Sequence, residues 1–115
     1  MDKPVIVDTT LRLRCGEGKA FGPGLAELLE GIVTYGSLRR SAAQMGMSYN
    51  KAWKVVKNSE LQWGQPLIER KIGGVSGGGA TLTAFGQSLL TRYRAFEQKA
   101  QTTLNALAQQ YFEGV

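Results

Sequence analysis

Glycines at positions 36, 46 and 64 divide residues 25–64 into three short segments. Apolar residues recur within these segments at steps of three and four, which is the spacing of one helix face. In the first segment they are Leu25, Leu28, Leu29, Ile32 and Val33. Ser37 and Ser48 stand where the second and third helices begin, and serine is a favoured N-cap. With glycine at each C-terminal end, the middle of the chain is predicted to form three packed helices.

Short strands are predicted on both sides of these helices. Residues 9–15 alternate polar and apolar side chains, and a turn at 16–18 leads to a return strand at 19–21. The Gly-Pro-Gly sequence at 22–24 is predicted to end this hairpin before the first helix begins. After the third helix, residues 67–72 are predicted as a strand, and five of the next seven residues are glycine. A loop at 73–79 and a return strand at 80–82 complete a second hairpin.

The last segment carries the longest apolar stripe. Thr83 is the predicted N-cap, and about 28 helical residues would span roughly 42 Å. The stripe consists of Phe85, Leu89, Tyr93, Phe96, Ala100, Leu104, Leu107 and Tyr111. One small core cannot cover a helix of this length, so a second copy of the chain is expected to cover part of it. The alternative is a helix that folds back over its own domain.

The length of 115 residues suits a single hydrophobic core. We therefore predict one mainly α domain with small β-hairpins over residues 1–115. Its parts are N-terminal strands at 9–21, a three-helix core at 25–64 with a helix-turn-helix at 37–63, a strand–loop–strand at 67–82 and a long helix at 83–113.

The positive charge of the chain is concentrated in its central third. The whole chain holds 14 basic and 9 acidic residues, a formal net charge of +5. Residues 37–74 hold seven basic residues and two acidic ones, so this segment alone has a net charge of +5. A local positive excess favours a polyanionic partner, with nucleic acid first among them. An ordinary lysine-rich surface that binds nothing is the alternative.

Two short helices joined by a tight turn at Gly46 and Met47 are typical of a helix-turn-helix. The second helix of this motif lies in the DNA major groove and presents its N-terminal side chains to base edges and nearby phosphates. Here those side chains are Ser48, Tyr49, Asn50, Lys51 and Lys54. Asparagine can pair with adenine, and lysine can reach guanine or phosphate. A surface helix that merely carries lysines is the competing interpretation.

A strand–loop–strand directly after such a helix is typical of the wing of a winged helix. Its glycines would allow backbone amides to approach phosphates closely. The residues expected to bind phosphate are Ser37, Arg39, Lys57, Arg70, Lys71, Ser76, Gly77 and Gly78. Neither the glycines at 16–18 nor those at 73–79 have the spacing of a nucleotide-binding loop between a strand and a helix, so a nucleotide site is not expected.

Four side chains have predicted surroundings. Trp53 is expected to pack in the core rather than to contact DNA, and Trp63 is expected to anchor the end of the third helix. Tyr49 is expected to be exposed. Cys15 is expected to be a small buried apolar residue rather than a redox switch.

The composition excludes several classes of function. The chain has no histidine and one cysteine, so it cannot use a histidine general base, and a zinc site is not expected. No catalytic residue, metal or cofactor is predicted. The single cysteine cannot form an internal disulfide, no apolar run reaches about 18 residues, and the N-terminus lacks a signal-peptide pattern. A cytoplasmic protein without a membrane span is expected.

Several motifs between residues 9 and 112 occur together in a known family. They are Ser-Tyr-x-x-Ala-Trp at 48–53, Pro-Leu-Ile-Glu-Arg at 66–70, the glycine pairs from 73 to 79, and Leu-Thr-x-x-Gly at 82–86. Together they resemble the N-terminal DNA-binding domain of the ModE family of molybdate-responsive bacterial regulators. The same motifs resemble, more distantly, the DNA-binding domain of LysR-type regulators.

This resemblance implies a winged helix-turn-helix, transcriptional control, and a homodimer built through the N-terminal strands and the last helix. Such a dimer would bind double-stranded DNA at a pseudo-palindromic site. ModE-type regulators continue into oxyanion-binding domains that sense molybdate, and no such domain fits in the residues left here. The chain is therefore expected to be a one-domain relative or a fragment. A winged-helix protein-interaction module with only non-specific DNA affinity is the alternative function.

Overall fold

The computed structural model describes residues 3–71 and 79–115. Within these ranges the elements follow the predicted order of hairpin, three helices, hairpin and long helix. They are β1 (Leu13–Cys15), β2 (Gly18–Phe21), α1 (Pro23–Tyr35), α2 (Leu38–Gln44), α3 (Tyr49–Trp63), β3 (Ile68–Lys71), β4 (Gly79–Leu82) and α4 (Ala84–Phe112). Strands β1 and β2 form one antiparallel sheet, and β3 and β4 form another.

Helix α1 begins within the Gly-Pro-Gly sequence. The strand β2 ends just before this sequence, as predicted, but Gly22 is the N-cap of α1 and Pro23 its first residue, so the helix begins two residues earlier than predicted. Proline suits the first helical position because the N–H that it lacks would have no partner there. The helix ends at Gly36, whose φ of +69° lies in the left-handed region.

Helices α1 and α2 cross closely because a glycine faces a serine. A Cβ atom on Gly31 would overlap the Ser41 side chain. Ser41 is buried, and its hydroxyl donates a hydrogen bond to the Leu28 carbonyl oxygen at 2.7 Å. This bond satisfies a buried polar group and fixes how α2 lies on α1.

Helices α2 and α3 form the helix-turn-helix, and a serine caps each of them. Ser37 caps α2 by accepting a hydrogen bond from the Arg40 backbone N–H, and Ser48 caps α3 by accepting one from the Lys51 N–H, both at 3.1 Å. Gly46, with a φ of +67°, turns the chain between the two helices. Residues with a side chain rarely adopt this conformation, so the sharp corner depends on glycine.

The first strand is shorter than predicted: β1 spans Leu13–Cys15 rather than residues 9–15, because β2 ends at Phe21, the partner of Leu13. Cys15 is exposed, and its predicted burial is wrong. It ends β1 opposite Gly18 at the turn, away from the core. The Ala20 carbonyl of β2 instead contacts α3: it accepts hydrogen bonds from the Ser59 hydroxyl and from the Trp63 indole N–H, the latter at 3.0 Å. Trp63 therefore anchors the end of α3, as predicted.

The second hairpin, the wing, is fixed to the core through backbone groups. The Ala80 N–H donates to the Gly36 carbonyl at 2.8 Å, and the Thr83 N–H donates to the Leu67 carbonyl at 2.9 Å. Gly86, in the first turn of α4, lies so close to Leu67 that a Cβ atom would overlap the same carbonyl. The start of α4 and the start of the wing are thus in direct backbone contact.

The N-terminal segment lies along the distal half of α4. Three α4 side chains, spaced four residues apart, bind its backbone. Gln101 donates to the Val7 carbonyl at 2.6 Å, Asn105 accepts from the Val7 N–H at 2.8 Å, and Gln109 donates to the Val5 carbonyl at 3.0 Å. We call these three side chains the amide ladder. It shows that part of α4 is covered by the chain's own N-terminus.

An ion pair joins α4 to α1. The Arg94 guanidinium binds the Glu30 carboxylate at 2.5 Å and the Glu97 carboxylate at 2.7 Å. The hydrogen bonds to Glu30 and Glu97 raise the pKa of Arg94 above its ordinary value. The arginine therefore stays charged throughout the pH range in which the carboxylates are ionised.

The core lies between the three short helices, the wing and the proximal part of α4. Its largest fully buried apolar side chains are Tyr93, Leu28, Leu29, Ile32, Leu67 and Val56. The fold is mainly α with two small β-hairpins, a winged helix-turn-helix with a long C-terminal helix. In the two described ranges, no helix is both long and apolar enough to cross a membrane.

Candidate nucleic-acid interface

The first turn of α3 presents polar side chains to solvent. Ser48, Asn50 and Lys51 are exposed, and Lys54 is exposed one turn later. The N-terminus of a helix carries unpaired N–H groups and a partial positive charge, and both favour an anionic ligand. The predicted base-reading side chains are therefore gathered at one helix end, with Tyr49 beside them.

Lys57 differs from Lys51 and Lys54, the other two lysines of α3. Its ammonium lies 3.2 Å from the Glu60 carboxylate and 4.7 Å from the centre of the Trp53 ring. It is exposed and remains available at the edge of the helix. Its charge is partly compensated by Glu60, so it contributes less to a positive surface than Lys51 and Lys54 do.

Five side chains from three elements form what we call the cation–aromatic cluster: Arg39 of α2, Tyr49, Trp53 and Lys57 of α3, and Arg70 of β3. The Arg39 guanidinium lies 4.2 Å from the centre of the Tyr49 ring, and that of Arg70 lies 3.9 Å from the centre of the Trp53 ring. Tyr49 is half-buried by these contacts, so its predicted exposure is wrong. Trp53 packs against the core, as predicted, and its ring also contacts the Lys57 ammonium and the Arg70 guanidinium.

The predicted phosphate-binding residues of the wing divide into two groups. Arg70 and Lys71 are exposed on β3, where Lys71 pairs with Gly79 of β4. Ser76, Gly77 and Gly78 lie outside the described residues. Ser37 stands close to the wing because the adjacent Gly36 carbonyl binds β4.

Comparison with known proteins bears on this arrangement. The model of the bacterial regulatory helix-turn-helix proteins of the LysR family matches residues 25–87, which include α1 from its third residue, α2, α3, the wing and the start of α4. This match covers more than half of the chain. The chain belongs to the LysR family of bacterial regulatory helix-turn-helix proteins.

Relatives of this LysR-family chain include ModE proteins, as the motifs predicted. It is 34% identical over 96 residues to the molybdenum transport protein ModE of Azotobacter vinelandii, covering 84% of this chain and 36% of ModE. It is 35% identical over 86 residues to the dual regulator ModE of Escherichia coli, covering 75% of this chain and 33% of that protein. The chain thus spans about a third of the length of these relatives.

A solved structure supports the fold. The crystal structure of ArgP from Mycobacterium tuberculosis matches with a TM-score of 0.51 and 28% sequence identity. The match covers 81% of this chain and 32% of ArgP. The molybdenum-pterin-binding protein MopA of Rhodobacter capsulatus is a further relative, 32% identical over 92% of this chain and 39% of its own length.

One residue of the interface was not predicted from the sequence. The Glu60 carboxylate of α3 accepts hydrogen bonds from the Leu67 N–H at 2.7 Å and from the Ile68 N–H at 3.5 Å. It therefore attaches α3 to the first strand of the wing. The only available signal was an acidic residue inside a basic segment, and that signal does not indicate a partner seven residues away.

The Glu60 contact predicts a measurable loss of stability. In Glu60→Gln the amide oxygen can still accept both hydrogen bonds, but the negative charge that strengthens them and pairs with Lys57 is lost. We expect the free energy of unfolding to fall by about 1 kcal/mol in urea titrations. Glu69→Gln, an exposed site on β3, is the control and should change stability by less than about 0.5 kcal/mol. Equal effects in the two variants would contradict the attachment.

Proposed function

We propose that this chain is a sequence-specific DNA-binding transcriptional regulator whose α3 N-terminus enters the major groove. The observation that carries the proposal is the exposed cluster of Ser48, Asn50, Lys51 and Lys54 at the start of the second helix of a helix-turn-helix. Membership of a bacterial regulatory family supports the same conclusion. The net charge of +5 on residues 37–74 supplies the attraction to a polyanion.

Several of the predicted site residues have a distinct role in this proposal. Asn50 and Lys51 read base edges, because their side chains match adenine and guanine and lie on the first helical turn. Ser37, Arg39, Lys57 and Lys71 bind phosphates on either side of the groove. The Ser37 and Ser48 hydroxyl oxygens already accept hydrogen bonds from their own helices, so each is left with a proton to donate to a phosphate oxygen.

Selection of genomic DNA tests the proposal. Sheared bacterial DNA is passed over the purified protein at about 0.15 M salt, and the retained fragments are sequenced. A limited set of fragments that share an inverted repeat is the expected result. We refer to a duplex with that repeat as the selected duplex. Uniform retention that disappears as salt rises would contradict sequence-specific binding and favour a protein-interaction module with only non-specific DNA affinity.

We further propose a homodimer formed through α4 and the N-terminal strands. Phe96, Leu107 and Tyr111 of the α4 stripe are 47%, 45% and 74% exposed, although the stripe is apolar. Phe96 also lines a cleft of about 500 Å³ that extends to Leu13 of β1. The cleft joins α4 to β1, the two elements expected to form the interface. A two-fold dimer would place its two α3 helices on half-sites about 34 Å apart, or a multiple of that distance.

Disruption of the α4 stripe tests the dimer. Leu107→Glu places a charge on the proposed interface and is expected to convert a dimer into a monomer in sedimentation equilibrium, because an unpaired carboxylate is costly to bury. Leu61→Glu is the matched control, since Leu61 is 76% exposed on α3, away from the stripe. A wild-type protein that sediments as a monomer, or a Leu107→Glu variant that still dimerises, would contradict this interface.

The proposed role contains no chemical step. In the described parts of the chain, residues 3–71 and 79–115, no group of three potential metal-ligating side chains comes together. Binding to a bacterial chromosome requires a cytoplasmic location, which we include in the proposal.

A further inference from the structure

The hydroxyl of Tyr49 is occupied in an unusual way. A phenolic oxygen can accept two hydrogen bonds and donate one. Trp53 donates its indole N–H to this oxygen at 3.0 Å, and Arg70 donates a guanidinium N–H to it. Both accepting positions of Tyr49 are therefore filled from within the protein, and the remaining capacity of the hydroxyl is its own proton.

A group that can only donate selects a ligand that can accept. Base edges in the major groove offer both donors and acceptors, whereas phosphate oxygens only accept. Two donors on the phenolic oxygen also polarise its O–H bond, which strengthens the bond it makes to an anion. Among the acceptors near the groove, a phosphate oxygen suits the Tyr49 hydroxyl best, because it is charged and a hydrogen bond to a charged acceptor is stronger.

Arg70 is held in a geometry that depends on a planar guanidinium. Its guanidinium carbon lies 3.9 Å from the centre of the Trp53 ring, and one N–H donates to the Tyr49 hydroxyl, so the wing strand β3 is joined to α3 at both aromatic residues. Lysine has the same charge, but its ammonium cannot lie over the Trp53 ring and donate to the Tyr49 hydroxyl in the same way. This arrangement differs from that of Lys71, which follows Arg70 on the same strand.

We infer that Tyr49 binds a DNA phosphate through its hydroxyl proton, and that Arg70 and Trp53 are positioning residues that act on DNA through Tyr49. The inference rests on the proposed DNA-binding function. It replaces the sequence-based expectation that Arg70 is itself a phosphate clamp. The ligand is a phosphodiester oxygen at the edge of the groove that α3 occupies.

A double-mutant cycle on the selected duplex tests the coupling. Tyr49→Phe keeps the ring and removes the oxygen, and it is expected to weaken binding about 10-fold. Arg70→Lys keeps the charge and is expected to weaken binding about 5-fold without changing the salt dependence. The double variant should bind within about twofold of Tyr49→Phe alone, because Arg70 no longer has a hydroxyl to position.

Lys71→Met is the matched control. It removes a neighbouring cation of the same strand and should weaken binding by the same factor with or without the Tyr49 hydroxyl. Two results would overturn the inference: Arg70→Lys that binds like the wild type, or a double variant whose loss equals the product of the single losses. Trp53→Phe tests the other positioning residue, because it removes the indole N–H that donates to Tyr49. It should weaken DNA binding when introduced into the wild type but not when introduced into Tyr49→Phe.

Methylphosphonate substitution identifies the phosphate. Each phosphate of the selected duplex is replaced in turn by a neutral methylphosphonate, which lacks one acceptor oxygen. At one position, the methylphosphonate should reduce the affinity of the wild type about as much as the Tyr49→Phe substitution does on unmodified DNA. At that same position, it should not reduce the affinity of the Tyr49→Phe variant any further. Equal sensitivity of both proteins at every position overturns the inference. If the wild type does not prefer the selected duplex to a scrambled one, the proposed function fails first.

Discussion

Replacing Lys51 by alanine is expected to weaken binding to the selected duplex by about 1–3 kcal/mol and to leave binding to random-sequence DNA nearly unchanged. Lys51 is exposed on the first turn of α3, and its backbone N–H is held by Ser48. A side chain that reads a base contributes only where the matching base is present. Asn50→Ala should behave in the same way at a different base pair.

Fluorescence anisotropy with both duplexes measures this difference. Lys99→Ala, an exposed lysine of α4 remote from α3 in sequence, is the control and should change neither affinity. Lys71→Ala should weaken both complexes alike and reduce the slope of log affinity against log salt by about one. If Lys51→Ala weakens both complexes equally, Lys51 is a phosphate contact and not a base-reading residue.

Gly86→Ala is expected to lower the free energy of unfolding by about 2 kcal/mol. The new Cβ would overlap the Leu67 carbonyl, a backbone atom that cannot move aside without shifting the start of the wing. That carbonyl also accepts the Thr83 N–H bond that leads into α4, so the bond is strained as well. The free-energy cost of the overlap and of the weakened hydrogen bond exceeds the gain of about 1 kcal/mol from the higher helix propensity of alanine.

Gly24→Ala provides the matched control in the same fold. Gly24 lies in the first turn of α1, and a Cβ there would meet no atom within 4 Å. This variant should therefore be more stable by about 0.5–1 kcal/mol. Urea titrations of the two variants should shift in opposite directions. A Gly86→Ala protein as stable as the wild type would show that the wing and α4 are not in the close contact described.

The helical part of the fold was predictable because its determinants are local. Ser37, Ser48 and Thr83 cap their own helices through residues three positions away, and Gly46 supplies a turn by its own conformation. Interactions of this range leave a mark in the sequence. The order of elements and the bounds of the helix-turn-helix follow from them.

The interface was less predictable because its contacts join distant residues. Arg70 reaches Tyr49 across 21 positions, and nothing in either residue's neighbourhood indicates the other. The amide ladder joins Gln101 to Val7 across 94 positions. Cys15 was wrongly placed because alternation indicates which side of a strand a residue occupies, but not whether another element covers that side.

The central claim is that the N-terminus of α3 reads bases in the major groove, and methylation interference tests it most directly. The selected duplex is methylated sparsely at guanine N7, a major-groove acceptor, and bound and free DNA are compared. The account predicts interference at guanines in two half-sites about one helical turn apart, or a multiple of a turn, with one position in each half-site relieved in Lys51→Ala. Interference at no guanine, with binding still sensitive to phosphate modification, would contradict base reading by α3.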